Sequence, residues 1–165
     1  MAQTSESQTK IIKAVHGLDK TKPDPDFEIG LTQYLCAQYS REALLQLYER
    51  HVSGDMLFDK LIRRAIWRGV ARRLGDGLTV GPDVRFKHLE TFEIGRSVFI
   101  GAQANIQGRF DGKCVIGDHV WIGPQSFFDA RDIVIEEYVG WGPGARVLGS
   151  AHTGLPADVP IIQTD

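Results

Sequence analysis

Downstream of Gly77 the chain keeps a six-residue period, and few folds can satisfy one. Counted from Ile94, apolar residues recur as Ile94, Ile100 and Ile106, then Ile116, Ile122 and Phe128, then Ile135, Trp141 and Val147. Four extra residues around Arg109 to Lys113 and one near Arg131 separate the triplets. Glycine follows five of these nine positions (Gly95, Gly101, Gly117, Gly123 and Gly142), where average composition predicts about one. Four residues after the apolar position stand Val98, Ala104, Val120, Ser126, Val139 and Ala145, all small or β-branched. Val80-Gly81, with Phe86 six residues on, reads as a degenerate earlier turn.

A short strand and a two-residue corner make a side of six. Three such sides close a coil of eighteen, and coils stack at the strand spacing of ~4.8 Å. The apolar residue points into a narrow prism and meets its equivalent one coil above. The small residue also points inward, where little volume remains. The Gly and Asp beside the apolar positions are expected to supply the left-handed backbone of the corners. An array of this kind must cover its ends.

Upstream the spacing is helical. Residues 1–26 are polar and carry Pro23 and Pro25, so they read as a flexible lead with a short helical piece at Ile11 to His16. Residues 27–77 form an α-helical cap: two short helices over Phe27 to Ser53, with Ser40 as an N-cap between them, and a third from Asp55 to about Leu74. Gly75-Asp76-Gly77 is read as its stop signal. One face of the third helix is apolar, and the other carries Lys60, Arg63, Arg64, Arg68, Arg72 and Arg73. That basic face of 55–74 is expected to be solvated; contact with an anionic membrane or a phosphorylated partner is the less favoured reading. Residues 78–165 form the β-coil domain.

Composition narrows the function class. A formal net charge of −2 excludes a globally basic nucleic-acid binder. No apolar run approaches the ~18 residues that a membrane span needs, and the first ten residues do not resemble a secretory signal. The two cysteines, Cys36 and Cys114, are too few for a disulfide framework. A cytoplasmic setting is expected.

The repeated aliphatic-Gly-x-x-small-x unit resembles the hexapeptide-repeat acyltransferases, most closely at Val115-Ile116-Gly117-Asp118-His119-Val120-Trp121-Ile122-Gly123-Pro124 and at Val139-Gly140-Trp141-Gly142-Pro143-Gly144-Ala145. The resemblance covers about half the chain. It implies a mainly β fold, a left-handed parallel β-helix of hexapeptide repeats with the helical segment as an N-terminal cap, assembled as a homotrimer. It implies transfer of an acetyl group from acetyl-CoA, as co-substrate, to a hydroxyl or amine of a sugar, nucleotide sugar or polysaccharide precursor, with no metal. Relatives of this kind continue for several more coils after the histidine loop, so the β-helix reads as truncated at its C-terminal side.

His152 lies five residues after Val147, where the repeat breaks into Gly149-Ser150-Ala151-His152-Thr153-Gly154. In the sugar-acetylating members a histidine at this place is the general base, and the resemblance gives His152 that role. An imidazole is mostly neutral yet basic near pH 7, which suits proton removal from an acceptor. The resemblance places the acceptor in a cleft between subunits. By repeat position Gln125, Asp129 and Asn105 are candidates to bind its hydroxyls. Trp141 and Gly142 are candidates for cofactor contact, although the repeat position of Trp141 also marks it as core. His16, His51, His88 and His119 are expected to be surface residues, and Cys114 lacks a paired histidine for nucleophilic work. Two other readings stand beside acetyl transfer. One is a non-catalytic trimeric assembly module. The other is a zinc hydratase of the carbonic anhydrase kind, which needs three histidines around an open metal position.

Overall fold

In the computed structural model, residues 20–129, 131–149 and 151–164 are described. The helical piece expected at 11–16, and the lead up to residue 19, lie outside them. Three helices come first: α1 (Asp26–Gln38), α2 (Arg41–His51) and α3 (Leu57–Val70). Ser40 caps α2, its Oγ accepting the Ala43 N–H at 3.3 Å. Asp59 reaches back to the Met56 N–H at 3.1 Å and starts α3 in the same way.

Among the described residues, twelve short strands follow. The first two coils hold β1 (Arg73–Leu74), β2 (Thr79–Val80), β3 (Arg85–Lys87), β4 (Phe92–Ile94), β5 (Phe99–Ile100) and β6 (Asn105–Gln107). The next two hold β7 (Lys113–Ile116), β8 (Trp121–Ile122), β9 (Phe127–Asp129), β10 (Asp132–Ile135), β11 (Gly140–Trp141) and β12 (Arg146–Leu148). They form three parallel four-stranded sheets, β1-β4-β7-β10, β2-β5-β8-β11 and β3-β6-β9-β12. The chain is therefore a parallel β-solenoid with a helical N-terminal region. The hexad phase holds residue for residue. Leu74, Ile94, Ile116 and Ile135 stack, as do Val80, Ile100, Ile122 and Trp141, and Phe86, Ile106, Phe128 and Val147. Every departure from six falls at the corner that follows β3, β6 or β9, where extra residues such as Leu89 and the 3-10 turn Leu89–Thr91 are accommodated.

Two expectations about the winding need correction. First, α3 ends at Val70, not near Leu74. Leu74 fits the helical stripe but also lies six residues before Val80, and the hexad claims it: β1 pairs with β4 and places Leu74 against Ile94. Gly75 is therefore a corner residue, not a helix stop. Second, the glycines after the apolar positions are not left-handed. The left-handed residues come three positions after the apolar one. Eight do so, Gly77, Ser97, His119 and Tyr138 at the first corner and Asp83, Gln103, Gln125 and Gly144 at the second, while His88 and Gly154 are left-handed outside this pattern. Gly95, Gly101, Gly117 and Gly123 are glycine because of close approach. A Cβ at any of them would lie 2.5 to 2.6 Å from an atom of the next coil. The non-glycine corners cost about 1–2 kcal/mol each, and inter-coil hydrogen bonds such as His119 N–H to the Arg96 carbonyl at 2.8 Å hold them there.

The helices close the first coil. Tyr48 and Trp67 set their rings edge-on against Phe86 at 5.0 and 5.2 Å, and the Tyr48 hydroxyl donates to the Val84 carbonyl at 2.9 Å. A single buried cluster runs from Leu35 through Trp67 and along the prism to Ile135. The basic face of α3 is only partly solvated, against expectation. Arg63 is fully buried and donates to the carbonyls of Val80 (3.1 Å), His51 (2.8 Å) and Gly54. Arg64 forks onto the buried Glu28 at 2.7 and 2.6 Å, and Arg68 binds Asp24 and Asp76. These arginines fasten α1 and the segment before it to α3. Lys60, Arg72 and Arg73 remain exposed. No helix among the described residues is long and apolar enough to cross a membrane.

Candidate functional site

The solenoid faces that matter chemically are the outward ones, because inward positions are filled by the apolar stacks. Beside the second corner, the left-handed Gln103 and Gln125 lie one coil apart, and the Gln125 amide donates to the Gln103 carbonyl oxygen at 3.0 Å. The strands leaving this corner place Asn105, Phe127 and Arg146 in register on one outer face. Gln107 donates to Asn105 at 3.1 Å on the same strand, which orients the Asn105 amide. Together Gln103, Asn105, Gln125, Ser126, Phe127 and Arg146 line a groove of about 340 Å³, with Leu148 at its far side. Amides, one aromatic ring and one guanidinium offer donors, acceptors and a flat apolar surface, the chemistry that holds a polyhydroxylated ligand.

Of the residues singled out in the sequence, Asn105 and Gln125 meet in this groove. Asp129 stands two residues beyond Phe127 on β9 and does not line it; its backbone carbonyl accepts the Gly149 N–H at 2.6 Å. His152 follows Leu148 by four residues and is exposed. Its Nδ1 bonds to the Thr164 carbonyl at 2.8 Å. A carbonyl can only accept, so Nδ1 carries the hydrogen, and in the neutral ring the lone pair is on Nε2. Thr164 is itself held, with its hydroxyl accepting the Gly154 N–H at 3.2 Å and donating to the Ile161 carbonyl at 2.7 Å. The segment 153–164 thus folds back to hold the imidazole. Sequence reasoning missed Thr164, which has no motif. It also missed Gln103 and Arg146, which sit at outward positions where the repeat carries no periodic signal.

The pair considered for cofactor contact divides. Trp141 continues the Val80–Ile100–Ile122 stack and sets its ring edge-on to Phe128 at 5.3 Å, so its side chain serves the core. Gly142 is exposed, with open space where a Cβ would stand.

The other histidines are placed individually. His119 stacks flat on Tyr138 at 4.8 Å, and His88 bonds through Nδ1 to Glu90 at 3.1 Å. No group of three His, Cys, Asp or Glu side chains among the described residues of the single chain is arranged to hold a metal. Burial pushes the Cys114 thiol up to about 11, away from nucleophilic duty. A larger groove of about 670 Å³ runs between residues 20–25 and the outer face of β2, β5 and β8, walled by His119, Phe99 and Trp121 and edged by Lys20 and Lys22. No family model, curated protein or solved structure matches the chain.

Proposed function

We propose that the chain is an acyltransferase of the hexapeptide-repeat kind. It moves an acetyl group from acetyl-CoA to a hydroxyl or amine of a sugar-type acceptor. The observation that carries the reading is the fixed tautomer of His152: Nδ1–H is spent on the Thr164 carbonyl, and Nε2 is left as a base on an exposed ring. That orientation is what general-base catalysis needs. In the proposed reaction Nε2 takes the acceptor proton as the acceptor oxygen or nitrogen attacks the thioester carbonyl. The tetrahedral intermediate then expels the CoA thiolate, which receives that proton. The amide-lined groove at Gln103, Asn105 and Gln125, whose lining extends to Leu148, four residues before His152, supports a polyhydroxylated acceptor. A homotrimer in the cytoplasm completes the reading.

The test is acetyl transfer by the full chain from acetyl-CoA to a panel of sugars and nucleotide sugars. His152→Ala is expected to lower turnover by at least ~10²-fold with an unchanged thermal midpoint. Equal turnover in wild type and variant removes His152 as the base. No transfer by the wild type to any acceptor favours the assembly-module reading instead.

A further inference from the structure

Between α2 and β3 lies a second cleft, of about 510 Å³, outside the amide-lined groove. One wall is a single stripe of α2, where Arg41, Leu45 and Glu49 follow one another at helical spacing. The other is the outward side of the first coil, where Arg85 and Lys87 flank the core-facing Phe86. Leu45, Tyr48 and Phe86 give it an apolar base, with the two rings edge-on at 5.0 Å. Two ion pairs bridge the walls, Arg41 to Glu90 and Arg85 to Glu49. They hold the helix against the coil, so the cleft is preformed.

The charges in this cleft do not balance. Arg41, Arg85 and Lys87 stand against Glu49 and Glu90, three cations to two carboxylates. Lys87 is left over: it is exposed and joins no ion pair among the described residues. The two arginines are also underused. Arg64, Arg96 and Arg109 each fork onto a carboxylate through two nitrogens, whereas Arg41 and Arg85 each reach theirs through one. A guanidinium carries several N–H donors, so both keep some unspent. An ammonium and two part-used guanidiniums around an apolar base suit an oxyanion, which accepts from all of them and supplies the missing negative charge.

Register joins the cleft to the groove. Arg85 pairs with Asn105 and Lys87 with Gln107, one rung of ~4.8 Å away. Asn105 lines the groove, and Gln107 orients its amide. A sugar lying on Asn105 therefore has its cap-side substituent over Arg85 and Lys87. We infer that the acceptor is anionic, a sugar whose phosphate or carboxylate seats against Lys87, Arg85 and Arg41 while its hydroxyls lie on the amides of the next coil. The inference rests on the acceptor reading of that groove. Its contacts come from α2 and the first two coils. The acid group is thereby held at the end of the groove opposite Leu148, which leaves the far hydroxyls on the side of the His152 loop.

Amide-shift mapping by heteronuclear NMR on the full chain tests this, with inorganic phosphate, glucose 1-phosphate, glucuronate and glucose as probes. Phosphate should give saturable shifts at residues 85–88. Lys87→Gln, a change at an exposed side chain, should weaken that binding by at least ~10-fold with an unchanged thermal midpoint. Glucose 1-phosphate or glucuronate should bind at least ~10-fold tighter than glucose and carry the shifts on to Asn105 and Gln107. The tighter of the two names the acid group. The proposal is overturned by a lack of saturable shifts at 85–88, by shifts centred on Arg146 instead, or by an affinity that Lys87→Gln leaves intact. Shifts from inorganic phosphate with no advantage of the charged sugars over glucose mean an adventitious ion only, and overturn it as well. The acyltransferase reading fails separately: if the charged sugars bind as expected and no acetyl group moves from acetyl-CoA, the anion cleft stands and the chemistry assigned to His152 does not.

Discussion

Arg63 shows how far a single side chain can depart from the pattern around it. Its position on the polar stripe of α3 predicts a solvated cation, yet it is fully buried and spends its guanidinium on carbonyls of the α2–α3 connection and of β2. Those carbonyls lie at the end of α2, in the connection that follows it and on β2, and a forked donor reaches several of them at once. Arg63→Ala strands them in the interior and should lower unfolding free energy by about 1–3 kcal/mol for each carbonyl left unsatisfied. Arg63→Lys should recover less than half, because an ammonium cannot span the same acceptors. Urea denaturation of the two variants measures both numbers, and a loss under 1 kcal/mol for the alanine variant contradicts the tether. Helical periodicity cannot reveal such a residue, since it assigns a face to each position but not the carbonyls that face it. His152 was legible for the opposite reason: it stands where a regular repeat stops, and an interruption is easy to see. Its partner Thr164 lies twelve residues on, and nothing local connects them.

Among elements, the glycines separate two physical roles that look alike on paper. Gly101 lies beneath the backbone of the next coil, with Pro124 N only 2.5 Å from where a Cβ would be. Gly30 sits on the exposed side of α1 with nothing within 4 Å. Gly101→Ala should therefore cost about 1–3 kcal/mol through overpacking. Gly30→Ala should stabilise by about 0.5–1 kcal/mol, since alanine loses less backbone freedom on entering a helix. Thermal midpoints moving in opposite directions would verify the distinction, and a shared direction would refute it. The strand phase could be read from the sequence because each inward residue has one volume to fill. The boundary between α3 and β1 could not, because Leu74 satisfies a helical spacing from Val70 and a hexad spacing to Val80 together. The dipeptide Leu74-Gly75, six residues before Val80-Gly81, is the signal that separates them.

For the molecule as a whole, charge pairs join coil to coil along the outer faces. The Arg96 backbone N–H and guanidinium hold the Asp118 carboxyl below its ordinary range, and Lys113 does the same for Glu93. A carboxylate depressed in the folded state contributes stability above its unfolded value near ~4 and loses it as pH falls through the folded value. At the other extreme, burial pushes the Tyr48 phenol up to about 12. Its contribution is complete below the unfolded value of ~10 and is lost as pH climbs from there to about 12. Melting temperature should accordingly hold a plateau and fall on both sides, in acid below pH ~4 and in alkali above pH ~10. A profile that stays flat from pH 5 to pH 2 would show that the inter-coil pairs contribute nothing.

Because every irregular step in the winding lies along one edge, the three edges of the prism are not equivalent. Two are locked in register by the left-handed corners. The third already absorbs surplus residues, and Phe110 projects from it into solvent. A four-residue Gly/Ser insertion after Phe110 should leave the melting temperature nearly unchanged, whereas the same insertion after Pro82 should abolish cooperative melting. That edge is a seam along which the molecule can be lengthened or decorated while the rest of the lattice keeps its alignment.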